Sequence, residues 1–285
     1  MGRKTLYHER MTERECVRIL RRMRRRGGQT RCPDCGGARH WISKGNGPII
    51  RYTCKRCRRK HSDLTGTVFE RTRTPLRKWF KAIDMFLHLD LNATKLMLAI
   101  EVTYKTAWSM LKKLRSVMLS DLQRILLDGE VEIDDSYIGG KRKGRRGRGA
   151  AGKTPIIGMI SRNGFAFAKP VSRLTFDEIS ESVIGRVDDN ATIITDEFRG
   201  YNILDLLEWK HQVVNHSETY SDNGVHTNSI EGYFSLIKRN LRCRYLGFKH
   251  KYLDHYLAEF CFRRNHKPAN MSYDLLALCS VPSRG

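Results

Sequence analysis

No stretch of this 285-residue chain runs to about 18 consecutive apolar residues, which excludes an ordinary membrane-spanning helix. The N-terminus, MGRKTLYHER, lacks the apolar h-region of a secretory leader, so no signal peptide is expected. Internal repeats are absent. Above all the chain is short of acid. Its 30 Asp and Glu stand against 53 Lys and Arg, a net charge of +23, and the pI is about 10.0. Such an excess weakens a compact fold by self-repulsion unless a polyanion neutralises it. DNA or RNA is the natural partner, because Lys and Arg release condensed counterions from phosphates. A disordered chain is excluded by the 40% hydrophobic and 9% aromatic content, which suffices for a core.

The charge is uneven. Residues 1–73 hold 21 Lys and Arg against 6 Asp and Glu, which marks the N-terminal quarter as a nucleic-acid-binding segment. Thr12 and Glu15 form a capping box, and Cys16, Ile19, Leu20 and Met23 trace the apolar stripe of a short helix. RRMRRRGG ends it, with Gly27 as the stop. Residues 75–119 read as three helices. Pro75 opens the first, which carries Trp79, Phe80, Ile83, Phe86 and Leu87. Asn92 caps the second, with Leu96, Leu98 and Ile100. Thr103 caps the third, with Ala107, Met110, Leu111 and Leu114 on one side. The short turns between them suggest a helix-turn-helix, the alternative being a linker bundle. From residue 130 the pattern changes to strands: VEIDDSYI, PIIGMIS, GFAFAKPVS, ATIITD and HQVVNH. Helices are predicted over 176–187, 200–209, 228–241 and 252–264. This order indicates an α/β domain with a mixed central sheet.

Four of the eight cysteines fall in two CxxC pairs, Cys32/Cys35 and Cys54/Cys57, separated by 18 residues. That spacing matches a four-cysteine zinc ribbon, in which Zn²⁺ supplies the folding free energy that a short polar segment lacks. Cys16, Cys243, Cys261 and Cys279 are scattered. Without a secretion signal the reading is a reducing compartment: cytoplasmic and nucleoid-associated in a bacterium, nuclear in a eukaryote. His40 and His61 are expected to be ordinary polar surface. Lys55, Arg56 and Arg58 around the second pair are candidate DNA contacts, as is Lys105. KRKGRRGR, with six basic residues in eight, reads as a flexible loop whose Arg145 and Arg146 track a phosphate backbone.

Three carboxylates stand out. Asp134 lies in the first strand of the α/β region, Asp196 ends ATIITD, and Glu231 lies near the start of a helix. Converging from two strands and a helix, they would hold the metal pair that activates an attacking oxygen and stabilises a leaving one. Each also has an ordinary reading: Asp134 as surface on an edge strand, Asp196 as a helix N-cap, and Glu231 as the N3 partner of an Asn228 cap. Lys238 follows Glu231 by two helical turns and is placed to reach a phosphate.

At these residues the sequence resembles the Merlin-related, ISXO2-like transposases, mostly enzymes of bacterial insertion sequences. The likeness rests on VEIDDSYIGGK, GRGAAGKTPIIGMISRNG, TDEFRGY, VNHSETY, HTNSIEGYFSLIKR and YLAEFCFRRN. The CxxC pairs followed by LTGTVFERTRTPLRKWF also match, and the order holds over residues 30–270. The resemblance implies an RNase H-like core of the DDE type, binding of terminal inverted repeats by the N-terminal region, metal-dependent cleavage at the element ends, and attack of the freed 3′-OH on target DNA. It carries Asp134 and Asp196 over as the two aspartates, with Asp135 and Glu197 as neighbours. The third position is Glu231 or Asn228. Glu231 is favoured because a carboxylate is the better ligand for a hard cation. Asn228 and His226 remain candidates for substrate contact.

The implied organisation is a basic N-terminal helix over 1–30, the zinc ribbon over 31–74 and a helical DNA-binding region over 75–125. The catalytic core spans 126–270, and a C-terminal tail spans 271–285. The expected cofactors are Mg²⁺ or Mn²⁺ at a two-metal site and structural Zn²⁺. The expected partners are double-stranded DNA and, when two ends are synapsed, a second copy of the chain, with no membrane. The alternatives are a catalytically silent zinc-ribbon DNA-binding protein and an RNase H-like nuclease that cuts without joining.

Overall fold

The computed structural model describes residues 6–25, 29–139, 152–214, 227–245 and 248–281. The chain divides into two compact units, Met1–Val117 with His266–Gly285, and Met118–Asn265.

In the first unit, α1 (Glu13–Arg25) starts at the expected capping box. The Thr12 hydroxyl accepts from the Glu15 N–H at 3.3 Å, and the Glu15 carboxylate accepts from the Thr12 N–H at 2.7 Å. Cys16, Val17 and Leu20 are buried, while Ile19 and Met23 are only half-buried. Three arginines of the basic run turn inward. Arg21 donates to both carboxylate oxygens of Asp63, at 3.1 and 2.7 Å, and Arg25 donates to the Tyr52 hydroxyl at 3.2 Å. Arg24 donates to the carbonyls of Ser62 and Thr65 at 3.2 and 2.8 Å, and to that of Asp63. They anchor a three-stranded antiparallel sheet of β1 (His40–Lys44), β2 (Ile50–Cys54) and β3 (Lys60–Ser62). Asp63 also accepts from the Ile50 N–H at 2.7 Å and the Tyr52 hydroxyl at 3.0 Å. Burial pushes its carboxyl upward, but these donors outweigh burial and hold it below the usual carboxylate range.

The helices of this unit follow the predicted caps. α2 (Leu76–His88) begins after Pro75, and its first N–H groups are satisfied from a distance. The Glu13 carboxylate accepts from Leu76 at 2.7 Å and Arg77 at 2.9 Å. The Asn92 side chain caps α3 (Ala93–Ile100) and Thr103 caps α4 (Tyr104–Leu122), with a three-residue turn between the helices. Leu96 and Ile100 are buried four residues apart, whereas Leu98 falls off their face and is 69% exposed. Residues 271–285, expected as a tail, include a further helix, α9 (Met271–Ser280). Leu275, Leu276 and Cys279 are buried, and the helix packs on α1 and α2. The segment is too short for a periodicity signal, and its place is fixed by tertiary contacts: Ser272 donates to Asp84 at 2.9 Å, and Val68 donates to the Cys279 carbonyl at 3.2 Å.

The second unit is built on a five-stranded sheet of β4 (Glu130–Ile138), β5 (Thr154–Ser161), β6 (Ala166–Pro170), β7 (Thr192–Thr195) and β8 (Lys210–Val213). The spatial order is β6-β5-β4-β7-β8. β4, β5 and β6 form an antiparallel meander, and β7 and β8 add on in parallel. This is the mixed α/β core expected. Helices α5 (Phe176–Val183) and α6 (Ile203–Leu206) lie between the later strands, α6 following a 3-10 turn at Arg199–Asn202. α7 (Asn228–Cys243) packs on β4 and β5, and α8 (Leu253–Asn265) packs on β6. β5 is buried from Ile156 to Ser161, as a strand covered on both faces must be.

Removing one partner of a buried ion pair costs about 3–5 kcal/mol. Asp63→Ala is therefore expected to lower the unfolding free energy of the first unit by about that amount, measured by denaturant unfolding of the intact chain. Because the Asp63 carboxyl is held below its ordinary range, its contribution is present at neutral pH and is lost as pH falls through its lowered value. The difference between wild type and variant should shrink toward acid.

Candidate functional site

Two clusters of reactive side chains form, one in each unit. The first is made of two equivalent turns. In one, Cys32 N–H donates to the Gly37 carbonyl at 2.9 Å and Gly36 N–H to the Cys32 carbonyl at 3.0 Å. In the other, Cys54 donates to Arg59 at 2.9 Å and Arg58 to Cys54 at 3.0 Å. The fifth position of each turn is left-handed, Gly36 at φ +71° and Arg58 at φ +61°. The four sulfur atoms lie within 4.8 Å of one another, with Cys32–Cys57 at 3.5 Å and Cys35–Cys54 at 3.6 Å. Tetrahedral Zn–S bonds of about 2.3 Å place the sulfurs about 3.8 Å apart, so the donor set fits zinc. The amide N–H groups of Cys57 and Arg56 point at the Cys54 sulfur and pull its thiol down to about 7, toward the thiolate a metal needs.

The histidines near this cluster are not ordinary surface. His61 is buried, stacked on Tyr52 at 5.2 Å and edge-on to His40 at 4.9 Å. Three aromatic rings thus fill the space that a ribbon with little aliphatic content leaves open. Lys55, Arg56 and Arg58 are exposed, and so is Lys105 in the first turn of α4.

The second cluster sits on the sheet of the second unit. Asp134 lies in β4 opposite Gly158 of β5. Asp196 directly follows β7. The parallel register pairs Glu132 with Ile194, so Asp134 and Asp196 each stand two residues farther along neighbouring strands. Glu231 is in the first turn of α7. Two features seat that helix. A Cβ at Gly158 would come within 2.7 Å of the Phe234 ring and 2.9 Å of Ile230, so only glycine admits the helix this close. Glu132, fully buried and on the same face of β4 as Asp134, accepts from the Ser229 and Ile230 N–H groups at 3.0 and 3.1 Å. The Asn228–Glu231 capping box therefore does not form. Thr227 is the N-cap, without a side-chain cap bond, and Asn228 is the first helical residue and exposed.

Burial raises the Asp134 carboxyl to about 7. The Asp135 N–H, donating at 2.7 Å, opposes this, and the charges of Asp135, Asp196 and Glu231 add to it. Lys238 is drawn to the same place: burial lowers it, Asp134 raises it and Lys153 lowers it, for a net lowering. The cysteines are the one group of three or more metal-ligating side chains among the described residues whose ligand atoms already converge. The three carboxylates act on one another from farther apart. Asp135 alternates to the other face of β4, and Glu197 is exposed. His226 and the loop bearing Arg145 and Arg146 lie outside the described residues.

Several residues here were not singled out from the sequence. Lys153 stands beside Lys238, and its only signal was its place in GKTP. Behind Asp196, buried His211 bridges the Asp205 carboxylate at 2.9 Å and the Thr195 hydroxyl at 2.8 Å, and that hydroxyl donates to the Asp196 carbonyl at 2.9 Å. The Asp196 carboxylate in turn accepts from the Phe198 N–H at 3.1 Å, an Asx-type turn that sets its direction. No helix among the described residues is long and apolar enough to cross a membrane.

Comparison with known proteins matches a described domain in each unit. Residues 126–265 match the model of the ISXO2-like transposase domain, and residues 11–60 match the transposase zinc-ribbon domain. A Halobacterium salinarum protein described as an uncharacterized protein in transposable element ISH50 is 33% identical over 273 residues, covering 89% of this chain and 91% of its own length. An uncharacterized transposase-like protein of Haemophilus influenzae is 29% identical over 91 residues, or 32% of this chain and 73% of that one. Among solved structures, a pre-cleavage Mos1 transpososome aligns at 15% identity over 74% of this chain and 82% of that one. Its TM-score is 0.25, too low to support an argument. The co-linear match over nearly the whole Halobacterium protein, with a zinc-ribbon module preceding a transposase domain, shows that this chain belongs to the ISXO2-like transposase family.

Proposed function

We propose that the chain is a DNA transposase that binds the terminal inverted repeats of an insertion sequence, cuts there and joins the freed 3′-OH to target DNA, with Asp134, Asp196 and Glu231 as its metal-binding carboxylates. The observation that supports this most is the state of Asp134. Its carboxyl is raised to about 7 by burial and by the negative charges of Asp135, Asp196 and Glu231. Crowded carboxylates on a protein with a net charge of +23 are out of keeping with a surface evolved only to hold DNA. They suit a site whose charge is balanced by divalent cations. Mg²⁺ or Mn²⁺ held there supplies activation of the attacking oxygen and stabilisation of the leaving one. The chain's own part is to orient. Glu132 and Gly158 seat the start of α7, which carries Glu231 within the charge field of Asp134, and Lys238, with Lys153 near it, offers a cation to a DNA phosphate. The cysteine cluster, as a structural zinc site, holds Lys55, Arg56 and Arg58 in a fixed array for DNA, and Lys105 on α4 adds a contact from the helical region. Arg145, Arg146 and a second copy of the chain at the paired end complete the reading.

Purified protein with Mn²⁺ and DNA bearing its element ends is expected to cleave and join. Asp134→Ala, Asp196→Ala and Glu231→Ala should each fall to background, while Asn228→Ala keeps measurable cleavage. Background activity in Asn228→Ala with full activity in Glu231→Ala would transfer the third position to Asn228.

A raised carboxyl pKa has a sign that can be checked without turnover. For Asp134, raised from 3.8 to about 7, the metal-free fold is penalised as pH rises through that range, because the folded state holds a proton that the unfolded state has released. Asp134→Asn should therefore be more stable than wild type at pH 8 without metal and little different at pH 4. Mn²⁺ should raise the wild-type melting temperature more at pH 8 than at pH 5, and leave Asp134→Asn nearly unmoved. Equal Mn²⁺ stabilisation of both proteins would remove Asp134 from the metal site.

Cys32→Ser and Cys54→Ser should each lose zinc by elemental analysis and lose specific end binding, with the sheet of the second unit still folded by circular dichroism. Unchanged zinc content would refute the cluster's role.

A further inference from the structure

The ribbon sheet has two faces, and its register sorts them. Directly opposed residues point to the same side, so Trp41, Thr53 and Lys60 form one row across the three strands and Ser43, Arg51 and Ser62 the next. The other face carries Tyr52 and His61, the stacked and buried pair tied to α1 by Arg25 and Asp63. The Trp41 face is the outward one. Trp41 is 45% exposed, and Ser43, Arg51 and Lys60 are exposed around it. Two more cations lie on the indole ring: the Arg58 guanidinium 4.5 Å and the Lys55 ammonium 5.6 Å from its centroid. From residue 31 to residue 60 the ribbon has nine Lys and Arg and a single acid, Asp34, which pairs with Arg59 at 3.5 Å.

Arg58 adds an independent indication. It occupies the left-handed position that Gly36 fills in the equivalent turn, at φ +61°. That conformation is one an L-residue rarely adopts. Its guanidinium lies over the Trp41 ring, and among the described residues it forms no ion pair. Glycine would serve the turn better, and the side chain that stands there instead places a cation on an exposed ring.

We propose that this outward face, Trp41 with Ser43, Arg51, Lys55, Arg58 and Lys60, is a docking surface for the sugar–phosphate backbone of duplex DNA, with Trp41 as its apolar contact. The proposal rests on the DNA-binding reading above and adds a contact that charge alone does not supply. The cations and the Ser43 hydroxyl reach phosphate oxygens. The indole lies between them, its edge against the deoxyribose rings, and the stacked Arg58 and Lys55 are oriented before DNA arrives, which reduces the entropy lost on binding.

Binding of the full-length, zinc-loaded chain to a labelled duplex of arbitrary sequence, measured by anisotropy over a salt series, tests this. Trp41→Ala is expected to weaken binding by about tenfold while leaving the slope of log affinity against log salt unchanged. Arg58→Gly suits the backbone and should lower that slope by about 0.9. Ser43→Glu sets a negative charge on the face and should also weaken binding; it decides the matter if Trp41→Ala fails to match wild type in zinc content or unfolding midpoint. Wild-type affinity in both Trp41→Ala and Ser43→Glu would overturn the proposal. A greater loss on single-stranded DNA than on duplex would overturn its assignment to duplex. A wild-type chain that binds no duplex would instead sink the DNA-binding reading itself, a result distinct from unaffected variants of a chain that binds.

Discussion

The carboxylate of Glu132 is buried near the start of β4 and receives N–H groups from the first turn of α7, from Ser229, 97 residues later in the chain, and from Ile230. A buried carboxylate without such donors is costly, and a buried helix start without an acceptor is costly too, so each resolves the other's penalty. The positive end of the helix dipole adds to the attraction. The consequence is geometric. Ser229 and Ile230 are pinned to Glu132 and Phe234 is seated on Gly158, which holds the backbone of α7, and with it the positions of Glu231 and Lys238, against the strand that bears Asp134. The carboxylate cluster depends on a residue that is not one of its members.

The same device occurs in the other unit, where Glu13 receives the N–H groups of Leu76 and Arg77 at the start of α2. In a chain with 30 acids among 53 bases, acids that serve the fold are conspicuous. Glu13, Asp63, Glu132 and Glu259 are all spent internally. Asp63 gathers Arg21, Ile50 and Tyr52, and fully buried Glu259 gathers Arg244, Arg263 and the Tyr245 hydroxyl. The excess charge at the surface is therefore not that of the sequence read residue by residue. Three arginines of the most basic run face inward, and the exposed cations of the ribbon come from its strands and cysteine turns instead.

What was legible in the sequence was local. The capping residues Thr12, Asn92 and Thr103 act over three residues, and the cysteine pairs announce their turns by spacing. The five strands of the second unit show in runs of apolar and β-branched residues. What was not legible was long-range. The role of Glu132 requires knowing that α7 crosses β4. Burial of His61 requires the register that sets it on Tyr52, and the α9 helix is a short apolar segment whose conformation is decided by α1 and α2. The capping-box pattern at Asn228, the ordinary reading of Glu231, shows the same limit. The local pattern was present, but a stronger acceptor from another strand had already satisfied the helix start.

The two clusters hold their protons differently. At the cysteines, backbone N–H groups from the turn pull Cys54 down to about 7, while hydrogen bonds to the neighbouring cysteines and burial push Cys57 up to about 12, so without metal one thiol gives up its proton readily and its neighbour keeps one. At the carboxylates, burial and like charge push Asp134 up to about 7, so the protein disfavours the charged form until something positive arrives. A cation in the first setting is held by a frame folded around it, as a structural metal is. In the second it must compete with a proton, and its hold weakens as pH falls through neutrality. Lys238 feels the charge of Asp134, and under the proposed function a phosphate drawn to Lys238 and the neighbouring Lys153 would leave the carboxylates to the cation. Under the proposed function, DNA and divalent metal should therefore assist each other's binding, because each relieves the electrostatic cost left by the other.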